Sequence, residues 1–106
     1  MGRKNDPIVS AFAHLVLQKI KPCKIILFGS RARGKAKKDS DYDFLLISPK
    51  FKKWEWEERA TNMYRLKRNI PAAMDILCLT PSELAKKKKE INIVNEALKE
   101  GIEIKI

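Results

Sequence analysis

The chain has 106 residues and a mass of 12.2 kDa, which suits one domain, residues 1–106, and leaves no room for two. Apolar residues make up 44%, enough for a core, so a net charge of +10 does not mark a disordered polyelectrolyte. No apolar run approaches the ~18 residues of a membrane helix, the mixed start Met1-Gly-Arg-Lys-Asn-Asp predicts no secretory leader, and two distant cysteines with a lone His14 exclude a disulfide scaffold, a cysteine zinc site and any site needing two histidines. A reducing, cytoplasmic setting is expected, and the basic surplus points to an anionic partner.

In chain order, Asp6 and Pro7 supply an N-cap and first turn. Ile8, Phe12, Leu15, Val16 and Ile20 follow helical spacing, and Pro22 ends the helix. Lys24–Phe28 is an apolar, β-branched run that reads as a buried strand, punctuated by Gly29. Ser30–Gly34 fits a short helical turn and Lys35–Ser40 a basic loop. Asp41–Ile47 predicts a second strand, stopped by Ser48-Pro49. Trp56, Ala60, Met63 and Tyr64 give a helical stripe through Glu55–Arg68. Ala72–Leu79 predicts a third strand. Thr80-Pro81-Ser82-Glu83 opens a helix whose stripe runs through Leu84, Ile91, Val94 and Leu98, with Gly101 as its C-cap. Ile102, Ile104 and Ile106 alternate as a short edge strand. The fold class is α+β (mixed α/β): three core strands and an edge strand, packed by helices.

Charge is unevenly placed. Residues 1–53 carry thirteen basic and four acidic side chains, residues 54–106 ten and nine. The basic half also holds the one strong motif. Gly29-Ser30 closes a strand and opens a turn, and after ten intervening residues Asp41-Tyr42-Asp43 begins the next strand. Side chains alternate along a strand, so Asp41 and Asp43 share a face, with Cα atoms ~6–7 Å apart. Paired carboxylates in an otherwise apolar run are costly unless a cation joins them, and hard divalent cations prefer such oxygen ligands. Gly29 admits close approach of a ligand, the amides after Ser30 face an anion at a helix start, and Arg31 and Arg33 add charge beside it. A third carboxylate, Asp75, lies in a strand with no other charge, where it must be paired or bind metal; it is also the candidate general base. The short link between the first two strands makes them antiparallel neighbours. The helical crossover makes the second and third parallel, which sets Asp75 beside Asp43.

Gly29-Ser-Arg-Ala-Arg-Gly34 followed by Ser40-Asp-Tyr-Asp-Phe44 resembles the signature of the minimal nucleotidyltransferases in the DNA polymerase beta superfamily. Met74-Asp75-Ile76 matches the third-carboxylate strand, and Glu96-Ala-Leu-Lys-Glu-Gly-Ile102 resembles the family's ending, so the resemblance spans nearly the whole chain. It implies the nucleotidyltransferase fold and Mg²⁺-dependent transfer of AMP from ATP to an acceptor hydroxyl, with two ions held by Asp41, Asp43 and Asp75, and Gly29, Ser30, Arg31 and Arg33 on the nucleotide. It also implies a HEPN-domain protein as partner, with this chain as antitoxin of the pair. A chain this short has no acceptor domain of its own, so the acceptor is expected on a partner or second subunit; a homo-oligomer is compatible. The competing readings are a non-catalytic module that neutralises a partner, and a nucleic-acid binder with a vestigial site; nucleic acid is admitted but not favoured. Lys86–Lys89 reads as a solvated helical face, and Trp54, Trp56 and Tyr64 as helix-face core or interface residues rather than base-stacking platforms.

Overall fold

The computed structural model describes residues 6–89 and 93–105. The Met1–Asn5 start, Ile91 and Ile106 lie outside the described residues. The elements are α1 (Pro7–Lys19), β1 (Lys24–Phe28), α2 (Ser30–Arg33), β2 (Tyr42–Ile47), a 3₁₀ turn (Pro49–Lys53), α3 (Trp56–Leu66), β3 (Met74–Leu79), α4 (Pro81–Lys87), α5 (Ile93–Glu100) and β4 (Ile102–Ile104). The strands form one mixed sheet in the order β3-β2-β1-β4. β1 runs antiparallel to β2 and β4, whereas β2 and β3 are parallel, as the link lengths predict. No helix is long and apolar enough to cross a membrane, among the described residues.

Both faces of the sheet are covered. On one, Phe12, Val16, Phe51 and Met63 pack on Leu27, Phe44 and Ile76, so α1 and α3 roof that side. On the other, Val94 and Ala97 of α5 pack on Ile26, Phe28, Leu45 and Leu79, with Leu84 of α4 at the margin. Alternation along β2 therefore sends Phe44 and Leu46 to the first face, and Asp43, Leu45 and Ile47 to the second.

Several local expectations shift. The two carboxyl-terminal helices are separate elements where one continuous stripe was predicted. Gly101 ends α5 at a point of close packing: its amide donates to the Ala97 carbonyl at 2.8 Å, and a side chain there would strike Ile26. The buried stripe of α1 is Val9, Phe12, Ala13 and Val16, with Ile8 and Leu15 only partly covered. Cys23 and Cys78 are free, and burial pushes both thiols up to about 12, so neither offers a thiolate.

In α3 the correction is larger. Trp56 and Tyr64 of the predicted stripe are exposed, and Arg59 and Met63 are the buried residues. The physical reason is the free edge of β3. Arg59 donates to the Cys78 and Trp54 carbonyls at 3.3 Å each and forms a two-pronged pair with Glu83 of α4 at 2.6 and 3.1 Å. The Tyr64 hydroxyl donates to the Met74 carbonyl at 2.9 Å and accepts from the Ile76 amide at 3.3 Å, and Lys67 Nζ donates to the Ala72 carbonyl. Two α3 side chains thus occupy the Met74, Ile76 and Cys78 groups that an unpartnered strand would offer to another chain, and Lys67, just past α3, holds the segment leading into it.

Arg59→Leu should lower stability by about 2–3 kcal/mol in urea denaturation, because it leaves the Glu83 carboxylate and a strand carbonyl without their donor. The Arg59 guanidinium holds the Glu83 carboxyl below its ordinary value. The contribution is therefore complete above the ordinary glutamate range and fades as pH falls through the lowered value. The variant should lose that part of the acid dependence.

Candidate active site

The site is built at the end of the sheet where β1 finishes and β2 and β3 begin. Phe28 pairs with Asp43 across β1 and β2, and Asp43 with Asp75 across β2 and β3. The register thus brings the Gly29-Ser30 turn, Asp43 and Asp75 to one place. Gly29 adopts φ 75°, ψ −160°, a backbone region that only glycine enters at low cost. A Cβ at this position would run into the Asp43 carboxylate. Two constraints therefore demand the same residue: the turn needs the torsion, and the carboxylate needs the space.

Asp43 is half-buried while Asp41 and Asp75 are exposed. The exposure of Asp75 corrects the expectation that its strand position forces pairing or metal binding: the side chain stands at the sheet's open end, in water. Asp41 precedes β2 instead of opening it. The Asp43 carboxyl is pushed up to about 6, first by burial, then by the charge of Asp75 and a hydrogen bond with it, then by Asp41, with Arg33 opposing. Three carboxylates crowd one another, and their oxygen donors are those a hard divalent cation takes. A cation would relieve the repulsion that raises Asp43, so the residues fit one chemically. As the side chains stand, no three acidic, His or Cys groups gather closely enough to hold a metal, among the described residues; Asp43 and Asp75 meet, and Asp41 acts only through its charge.

The expected phosphate ligands divide. The Ala32 and Arg33 amides donate to the Gly29 carbonyl at 3.1 Å each, so α2 itself engages them, and the amides offered to an anion narrow to those of Ser30 and Arg31. The Arg31 guanidinium is committed elsewhere. It donates to the Ser40 carbonyl at 2.9 and 3.3 Å and to the Lys38 carbonyl at 3.3 Å, and it lies 4.2 Å over the Tyr42 ring. Tyr42 in turn donates to Asp6 at 2.8 Å, whose other oxygen caps α1. Arg31 therefore folds the basic loop back and sets where β2 begins. Arg33 is exposed and faces the site, paired with Glu100 at 3.2 Å.

A cavity of about 230 Å³ lies between the sheet end and α5, lined by Phe28, Gly29, Arg33, Asp43, Glu96 and Glu100. Glu96 and Glu100 were not among the predicted site residues. Their i, i+4 spacing places them on one helix face, but only the packing of α5 on the second sheet face aims that side at Asp43. Tyr64 was also missed as a site-supporting residue: its hydroxyl holds the backbone on both sides of Asp75. The lysines of the 3₁₀ turn follow the other end of β2, so the basic half of the chain does not simply surround the site.

Residues 9–102 match the family model for a nucleotidyltransferase domain. Among solved structures, the chain is similar to one of a toxin–antitoxin with AMP-PNP (TM-score 0.65, 17% identity, covering 91% of this chain and 71% of that one). It is also similar to a candidate nucleotidyltransferase from Sulfolobus solfataricus (0.53, 24%, 97% and 78%). BolA1 from Arabidopsis thaliana shares the architecture too (0.60, 18%, 74% and 96%). No curated protein matches the sequence.

Asp43→Asn should stabilise the metal-free protein at neutral pH. The folded carboxyl titrates near 6, above its ordinary 3.8, so the native state binds the proton more tightly and stability falls as pH rises between those values. In thermal melts with a chelator, the variant should melt above the parent beyond pH 6 and converge with it near pH 4.

Proposed function

Because the chain belongs to the nucleotidyltransferase-domain family, we propose that it transfers AMP from ATP to a hydroxyl on a partner protein, with Mg²⁺, as the antitoxin of a pair whose other member carries a HEPN domain. One observation carries the reading: the Gly29 turn is pressed against the Asp43 carboxylate, in register with Asp75. That is a phosphate-approach element and a carboxylate pair at one point, and the fold of a toxin–antitoxin structure with AMP-PNP covering most of this chain supports the assignment.

In this reading Asp41, Asp43 and Asp75 would hold the divalent cations, which supply charge neutralisation at the α-phosphate and on the leaving pyrophosphate. Gly29 lets the backbone approach the phosphates without a side chain between. Arg33, on the rim of the cavity, offers a guanidinium to the triphosphate once it leaves Glu100. Asp75, exposed at the strand end, accepts the proton of the incoming hydroxyl. The acceptor oxygen bonds to the α-phosphorus, the bond from the α-phosphorus to its bridging oxygen breaks, and pyrophosphate departs with the electron pair. Arg31 serves indirectly, fixing the loop before Asp41.

The experiment is label transfer from α-labelled ATP with Mg²⁺ to a HEPN-domain protein expressed beside the chain. Label should appear on the partner, and Asp43→Asn should reduce its rate by at least about 100-fold. Undiminished labelling by the doubly substituted Asp41→Asn, Asp43→Asn protein would overturn the mechanism. Full neutralisation of the partner by that variant, without label, would favour the non-catalytic module.

A further inference from the structure

The end of the domain away from the carboxylates carries a second feature. β2 and β3 leave the sheet side by side, Ile47 paired with Leu79, and each runs into a lysine-bearing turn of helix. Lys50, Lys52 and Lys53 lie on the 3₁₀ turn, and Lys86, Lys88 and Lys89 on and just after α4; all six are exposed. Neither ion pair among the described residues engages any of the six. Leu79 lies four steps along β3 from Asp75, so this end is ~13 Å or more from the candidate active site.

Trp56 is exposed at the same end, with 47% of its surface open. It is not a loose surface aromatic. The Arg59 guanidinium lies 5.4 Å from the ring and the Lys87 ammonium 5.9 Å. Arg59 is itself locked by Glu83 and the Trp54 and Cys78 carbonyls, so the ring rests against a fixed cation. A depression of about 550 Å³ lined by Glu83, Lys86, Lys87 and Lys89 continues on α4. Glu83 is bound by Arg59; Glu55, Glu57 and Glu58 at the start of α3 are exposed and oppose part of the charge, and the six lysines outnumber them.

We infer that this end is a binding surface for single-stranded nucleic acid, with a base stacked on Trp56 and the phosphates on the lysines of the 3₁₀ turn and α4. The inference does not rest on the transferase reading. A rigid open indole between two lysine groups suits a strand whose bases are unpaired, since every base offers a π-face and every nucleotide a charge. An acidic peptide would be served by the lysines and leave the indole idle; a duplex keeps its base faces stacked inside.

The test uses the full chain with Trp54→Phe, so that Trp56 alone reports by fluorescence. A single-stranded RNA 20-mer, the DNA of the same sequence, its duplex and a polyglutamate peptide are titrated over a range of salt. Quenching of Trp56 by either single strand is expected, and the better of the two identifies the nucleic acid. Read by the anisotropy of end-labelled strands, as every Trp56 substitution must be because it removes the reporting indole, Trp56→Ala should weaken binding by at least about fivefold, with the salt dependence unchanged. The triple variant Lys86→Gln, Lys88→Gln, Lys89→Gln should reduce the slope of log K against log salt by about 2. Thermal melts of each variant confirm folding, and Trp56→Phe, which keeps a ring, should retain most of the affinity. Binding of polyglutamate or duplex as tight as that of the single strands would overturn the inference, as would an unquenched Trp56 or indifference to both substitutions.

Discussion

Asp43 and Asp75 sit directly across from each other on neighbouring parallel strands, and the site depends on that like-charge contact. Parallel register fixes the pair, since a slip of one residue would turn one carboxylate to the opposite face and break the hydrophobic pattern of both strands. Among the described residues, Arg33 is the cation that lowers the Asp43 carboxyl, and it is outweighed by burial and by two aspartates. The same contact reaches back to β1, because the Asp43 side chain occupies the volume that any residue larger than glycine would need at position 29. Charge is thus concentrated at one end of the sheet, where a charged ligand can relieve the repulsion.

A parallel strand at a sheet edge exposes a row of unpaired backbone groups, and β3 is such a strand. Arg59 and Tyr64 cover part of that row from α3. The arrangement also steadies the site, since Tyr64 grips the backbone on both sides of Asp75. Stability and site geometry therefore share one helix, although α3 contributes no predicted site residue. One architecture can host many chemistries; what distinguishes the chain is the set of groups at the strand ends.

The order and pairing of the three core strands and the meeting of Asp43 with Asp75 were legible in the sequence, because link lengths and side-chain alternation are local rules with few solutions; the seat of β4 on β1 was not. Nor was the burial of α3. Helical periodicity placed Trp56 and Tyr64 on a stripe of core or interface residues and had no means of seeing that strand carbonyls would draw Arg59 inward. The role of Arg31 was hidden for a related reason: an arginine beside a turn looks the same whether it meets a phosphate or three bonds' worth of its own loop. Glu96 and Glu100 required the placement of α5 on the sheet, a long-range fact that no spacing within the helix encodes.

The net charge of +10 pointed to one anion, but the fold distributes it over two ends. Arg33 and the loop lysines stand near the carboxylates, while the lysines of the 3₁₀ turn and α4 stand past the far ends of β2 and β3. A separation of ~13 Å exceeds the Debye length of ~8 Å at physiological salt, so each end presents its field largely alone. The two differ in kind as well as place. Near Asp43 the cations are interleaved with carboxylates, which selects a ligand that arrives with its own metal or displaces Glu100 from Arg33. At the far end exposed lysines outnumber the exposed glutamates at the start of α3 and flank an open indole, which suits a longer and more repetitive polyanion.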